Sequence, residues 1–147
     1  MINYFKSSER LLSERGNLER ALENLERRLE WAIEKYGPSG AATIDYSRPY
    51  VSASTTADAL SACLEVAEIT REINETKETI QEIDRVLGQL SPDDAELLRA
   101  WYIDREPKEK IAERFCYSSR TSIYDLRNKA VAAFAILYFG AGAISST

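Results

Sequence analysis

Two long stretches of the chain carry apolar residues at the alternating three- and four-residue spacing of a coiled-coil seam. The first seam consists of Leu11, Leu18, Leu22, Leu25, Leu29, Ala32 and Tyr36. The second seam consists of Ala59, Ala62, Val66, Ile69, Ile73, Thr76, Ile80, Ile83 and Leu87. Each seam forms one narrow stripe on an amphipathic helix, and two such helices can cover each other's stripe. The sequence therefore predicts an antiparallel helical hairpin with helices at about residues 4–36 and 55–88.

A segment without helical periodicity, residues 37–54, joins the two seams. It opens with Gly37-Pro38-Ser39-Gly40 and is rich in serine, threonine and tyrosine, which predicts a loop. What this loop contacts is left open. A seam shared by only two helices is thin, so we expect a second copy of the chain to contribute further helices. The expected state is a homodimer or a higher homo-oligomer.

A new module begins after the second seam. Gly88 suits a helix end, whereas Ser91 can cap a new helix that has Pro92 at its first position and acidic residues in its first turn. Three short helical patterns follow, at residues 93–103, at 107–115 and from about 119 onward. Short connections between three helices are typical of a helix-turn-helix. We expect an all-α protein with a hairpin domain at residues 1–89 and a helix-turn-helix domain at 90–147.

The distribution of charge refines this expectation. The net charge of −5 resides entirely in residues 1–89, whereas residues 90–147 hold eight basic and eight acidic side chains. Between residues 114 and 129 the basic side chains are Arg114, Arg120, Arg127 and Lys129, and the only acidic one is Asp125. A local positive balance on one helix favours a nucleic-acid interface there, despite the acidic total.

Several segments of the second module resemble region 4 of bacterial sigma factors. They are Leu90-Ser91-Pro92, the run from Lys110 to Phe115, Tyr117-Ser118, and the run from Arg120 to Ala130. More narrowly, they resemble phage ArpU and RinA-like regulators, which place an acidic helical segment before such a helix-turn-helix. The resemblance covers about the last third of the chain, and it implies transcriptional control of late phage genes.

The sequence departs from the sigma pattern at two positions. Ile123, the β-branched residue of the recognition helix, lies one position later than usual, and Ser122 occupies the usual place. Cys116 replaces the common glycine of the turn. Both departures leave the register of the DNA-facing side chains open.

Candidate DNA contacts follow from helical geometry around Ile123, since a turn of 100° per residue sends Ala130 and Phe134 inward. We expect Asn128 to read an adenine edge, Thr121 to meet a thymine methyl, and Arg120 to reach guanine or phosphate. Backbone N–H groups near Ser118 and Ser119 suit a phosphate. On the preceding helix, Lys110 and Arg114 are candidates for phosphate contacts only. The complete set is Lys110, Arg114, Ser118, Ser119, Arg120, Thr121, Ser122, Tyr124, Asn128 and Lys129.

Other classes of function lack a pattern in the sequence. The chain has no histidine and only two cysteines, Cys63 and Cys116, so we expect no metal site, no cofactor and no enzyme activity. Both cysteines lie in apolar patterns and are expected to be small, buried and reduced, which predicts the cytoplasm. The apolar run from Ala130 to Ile144 is too short for a bilayer, so no membrane partner is expected.

Two alternatives to a DNA-binding regulator stay open. The acidic hairpin could capture a partner such as RNA polymerase or a phage regulator, with the sigma-like module mimicking a promoter-reading domain rather than reading DNA. A small terminase subunit that binds packaging DNA would share the same parts. The sequence identifies neither an operator nor the sign of regulation.

Overall fold

The computed structural model describes residues 2–36, 53–115 and 120–144, with side chains at 2–35, 57–115 and 122–144. Over these ranges the regular elements are all helical. The α-helices are α1 (Tyr4–Tyr36), α2 (Ala53–Gln89), α3 (Pro92–Leu98), α4 (Lys108–Arg114) and α5 (Arg120–Phe139). A π-helical turn, Arg99–Ile103, continues α3, and a 3-10 turn, Ala141–Ala143, follows α5. The predicted loop at residues 37–54 lies largely outside the described residues.

Contacts between residues divide the chain into two compact units. The first unit comprises Met1–Leu18 and Thr79–Thr147, and the second comprises Glu19–Glu78. The first unit therefore contains the start of α1 and the end of α2 as well as every later helix. The domain boundary predicted between residues 89 and 90 stays a prediction.

The second unit buries apolar side chains along its two helical segments. Ala32, Ala62 and Ile73 are all at most 5% exposed. An ion pair also joins the segments, with Lys77 Nζ at 3.8 Å from Glu26 Oε1. Cys63, expected to be buried, is exposed. A step of 100° along the helix carries it away from the buried face of Ala62, and Leu64 beside it is 60% exposed as well.

The first unit is built around one hydrophobic core. Its fully or almost fully buried members are Leu12, Ile83, Val86, Leu87, Leu97, Leu98, Ala100, Trp101, Tyr102, Ile111, Ile123, Ala130, Val131 and Phe134. Both α3 and α4 pack against α5, and α4 also packs against the π-helical turn. The side chains of α5 that face inward thus contact helices that precede it in the chain.

The helix start predicted at Ser91 and Pro92 is confirmed. The Ser91 Oγ accepts a hydrogen bond from the Asp94 N–H at 3.3 Å, Pro92 occupies the first turn, and Asp93 and Asp94 lie where the helix dipole favours negative charge. At the other end of the unit, α5 stops at Gly140. Its φ of 86° lies in the left-handed region that glycine adopts readily, and its N–H donates to the Ile136 carbonyl at 2.8 Å.

Candidate nucleic-acid interface

The buried stripe of α5 runs along the residues that helical periodicity predicts. Ile123, Ala130 and Phe134 are each 0% exposed, so the inward orientation expected of them is confirmed. The ring of Phe134 also stacks on Tyr138, with 5.6 Å between the ring centroids. This stripe fixes which face of α5 remains available to a partner.

Three of the predicted DNA contacts lie on the accessible part of α5. Asn128 and Lys129 are exposed, and Tyr124 is 39% exposed. The Asn128 Oδ1 accepts a hydrogen bond from the Arg127 Nε at 2.8 Å, which leaves its amide N–H₂ group to donate elsewhere. Ser122, also predicted to contact DNA, is half-buried beside Ile123. The arrangement offers one amide, one ammonium and one phenol on the same helix.

Four other predicted contacts fall where the structure is not described in full. Ser118 and Ser119 lie outside the described residues. Arg120 and Thr121 form the first turn of α5, but their side chains lie outside the described part of the chain. Their roles stay predictions, and so does the length of the turn before α5.

The two predicted phosphate contacts on α4 differ in their surroundings. Lys110 is exposed. Arg114, in contrast, forms ion pairs with two carboxylates: its Nε lies 3.6 Å from Glu96 Oε1, and its terminal nitrogens bond to the carboxylate of Glu106. To contact a phosphate, Arg114 would have to exchange these partners. Of the two residues, Lys110 is the better placed for a phosphate.

A cluster around the Trp101 indole was not foreseen from the sequence. Trp101 is only 6% exposed, and the Lys108 ammonium and the Arg127 guanidinium lie at 4.2 and 4.9 Å from its ring centroid. Tyr124 packs its ring edge-to-face against the same indole at 5.2 Å. Positive charges at this distance from an indole are attracted by the negative face of its π-system. No pattern in the sequence singled out Lys108, which directly follows Pro107 at the start of α4.

Arg127 also links the cluster to α1. Its NH1 donates to the Tyr102 hydroxyl at 3.3 Å and lies 3.6 Å from Glu9 Oε2, and the Tyr102 hydroxyl donates to the same Glu9 oxygen at 2.7 Å. Burial, followed by the hydrogen bond to Glu9, raises the pKa of Tyr102 well above its ordinary value. Tyr102 therefore stays protonated and acts as a donor at any physiological pH.

The charge of the predicted interface is smaller than the residue count indicates. Arg114 and Arg127, two of the four cations between residues 114 and 129, face carboxylates of the protein itself. The sequence could not show this, because Glu9 and Glu96 lie far from their partners along the chain. Of the other two cations, Lys129 is exposed, and the side chain of Arg120 lies outside the described part of the chain.

Within the described ranges, no cluster of three or more acidic or cysteine side chains is arranged to hold a metal ion. Nor does that part of the chain contain a helix with the length and apolar character needed to cross a bilayer. Comparisons with protein-family models, with curated proteins and with solved structures find no match for this chain.

Proposed function

We propose that this chain is a sequence-specific DNA-binding regulator of transcription that uses α5 as its recognition helix. The observation that carries the proposal is the surface of α5 outside the buried stripe of Ile123 and Phe134, where Asn128, Lys129 and, on the flank, Tyr124 are accessible. An amide can pair with an adenine edge in the major groove, and an ammonium or phenol can contact phosphate. The packing of α3 and α4 against α5 supports a helix-turn-helix of the kind found in sigma region 4.

In this proposal α1 and α2 form an antiparallel hairpin that joins two or more copies of the chain. Arg15 of α1 pairs with Asp84 of α2, and Glu26, further along α1, pairs with Lys77, which comes earlier in α2. Residue numbers that rise along one helix while those of their partners fall along the other indicate antiparallel helices. The second unit also exposes large apolar side chains, including Trp31 at 63% and Leu60 at 62%. Covering them with a second copy would remove apolar surface from water.

Two copies would present two recognition helices to successive major grooves. The expected operator is therefore a repeat whose half-sites are about 10 base pairs, or a multiple, apart. The resemblance to phage regulators extends the proposal to a protein encoded by a phage or prophage and acting in the host cytoplasm. Footprinting should reveal the repeat, whereas a single uninterrupted half-site would contradict the dimeric arrangement.

Substitution of individual side chains tests the roles on α5. Replacing Asn128 by alanine should relax the preference for one base position and cost about 1–3 kcal/mol on the preferred sequence alone. Replacing Arg120 should also relax preference, whereas Lys110→Ala should weaken binding to every duplex alike. Asn74→Ala, at an exposed position on α2, is the matched control and should bind like the parent chain. Equal losses on all sequences for Asn128→Ala and Lys110→Ala would refute the role assignment.

A second candidate function is a protein-interaction module that binds RNA polymerase or another regulator. It is favoured by the exposed apolar side chains Trp31, Ile33, Leu60 and Leu64 together with the acidic charge of residues 1–89. The same DNA-binding assay separates the two functions, because an interaction module of this kind needs no affinity for duplex DNA.

A further inference from the structure

The start of α4 places a lysine beside the recognition helix. Lys108 is the first residue of α4, and its Nζ lies 4.2 Å from the centroid of the Trp101 indole. Tyr124 of α5 meets the same indole at 5.2 Å. Trp101 is thus a common support for one side chain from α4 and one from α5, and its burial in the core fixes the position of that support.

The cluster around this indole contains two cations, and one of them already faces a carboxylate of the protein. Arg127 has its guanidinium 4.9 Å from the same ring centroid and its NH1 3.6 Å from Glu9 Oε2, so Lys108 is the cation of this cluster that suits an external anion. Burial and the positive charge of Arg127 lower the pKa of Lys108, and the carboxylate of Glu109 opposes this effect. A bound anion would offset the repulsion between the two cations and return the pKa of Lys108 toward its ordinary value.

We propose that Lys108 and the Tyr124 hydroxyl bind the phosphodiester backbone of duplex DNA, extending the interface from α5 onto the start of α4. The inference rests on the proposed DNA-binding function and adds Lys108 to its contacts. Lysine binds phosphate as a point charge, and a tyrosine hydroxyl can donate a hydrogen bond to a phosphate oxygen. Lys108 suits this role better than Arg114, whose guanidinium already faces Glu96 and Glu106.

The salt dependence of DNA binding tests the contact. The affinity for a labelled random duplex can be measured by fluorescence anisotropy over a range of salt concentrations. Log affinity falls with log salt, and removal of one phosphate contact should make this negative slope less steep by about 0.9. Lys108→Met retains an unbranched side chain over the indole while removing the charge, so the slope measured for this variant should be less steep by this amount. The affinity of Lys108→Met should therefore be lower than that of the parent chain at 50 mM salt. The ratio of the two affinities should shrink about 3.5-fold between 50 and 200 mM salt, as a slope difference of about 0.9 requires. Lys108→Arg should keep the parent slope.

Lys77→Met is the matched control, because Lys77 belongs to the other unit and pairs with Glu26. It should leave the slope unchanged. If the parent chain binds the duplex and Lys108→Met shows the same salt dependence as the parent chain, the phosphate contact is overturned and the DNA-binding function stays intact. A parent chain that binds no duplex at 50 mM salt would refute the DNA-binding function, and the contact would fall with it.

Chemical footprinting tests the contact in the unsubstituted chain and does not depend on the folding of a variant. Lysines are acetylated with and without saturating duplex, and the labelled peptides are quantified by mass spectrometry. We expect DNA to protect Lys108 several-fold more than Lys77. Equal labelling of Lys108 in free and bound protein would overturn the inference.

Discussion

The hydroxyl of Tyr102 joins α1 to α5 through one group of hydrogen bonds, and its removal should measurably weaken the first unit. Tyr102 is 7% exposed, donates to Glu9 at 2.7 Å and accepts from Arg127 at 3.3 Å. A hydrogen bond to a charged partner contributes about 1.5–3 kcal/mol. The Glu9 side chain is 30% exposed, so water can replace part of that hydrogen bond. We therefore expect Tyr102→Phe to lower the free energy of unfolding by about 1.5 kcal/mol, at the lower end of that range.

A double-mutant cycle with Glu9→Ala, which removes the acceptor, separates this contact from other effects of the two substitutions. Side chains in one hydrogen-bonded group usually couple by about 0.5–3 kcal/mol, and distant pairs add to within about 0.3–0.5 kcal/mol. Urea unfolding followed by circular dichroism supplies the four free energies. Glu14→Ala is the control on α1, because that carboxylate accepts from Asn17 rather than from Tyr102. The reasoning would be refuted if the changes in free energy of unfolding caused by the Tyr102 and Glu9 substitutions added as closely as those of the Tyr102 and Glu14 substitutions.

Three further predictions concern the same unit. Because the pKa of Tyr102 is raised above its unfolded value of 10.0, the folded chain retains a proton that the unfolded chain releases. The stability of the parent chain should therefore fall as pH rises above about 10, and alkaline urea titrations should show a shallower fall for Tyr102→Phe. Phe134→Ala should cost about 3–5 kcal/mol in urea unfolding, since the side chain is fully buried; a destabilisation below about 1 kcal/mol would place it outside the core. Ser91→Ala should cost about 1 kcal/mol by removing the cap on the Asp94 N–H, with Ser91→Asp as the variant expected to retain it.

Local patterns were sufficient to predict most of the helical segments and part of their inward faces, although Ala59 of the second predicted seam is exposed. The heptad spacing of leucines predicted α1, and periodicity around Ile123 identified Ala130 and Phe134 as buried. Such patterns report only how a side chain is oriented on its own helix. They could not show that Leu12 of α1 shares one core with Phe134 of α5, because that contact depends on how the helices pack.

The candidate interface was harder to predict for the same reason. A basic residue on a predicted surface counts as free charge until its partners are known, and Arg127 has its partner on α1 at Glu9. Lys108 was overlooked because one lysine after a proline carries no pattern, and its proximity to Trp101 arises only after folding. Cys63 was expected to be buried because its neighbours are apolar, but apolar neighbours on a helix point in different directions.

The most direct test of the central claim is binding of the full chain to DNA from its own genomic neighbourhood, compared with random DNA over a range of salt concentrations. The account predicts tight, salt-sensitive binding to one segment that contains a repeated half-site, and weaker binding to random duplexes. The absence of binding to any duplex at low salt would contradict the account and favour the protein-interaction module.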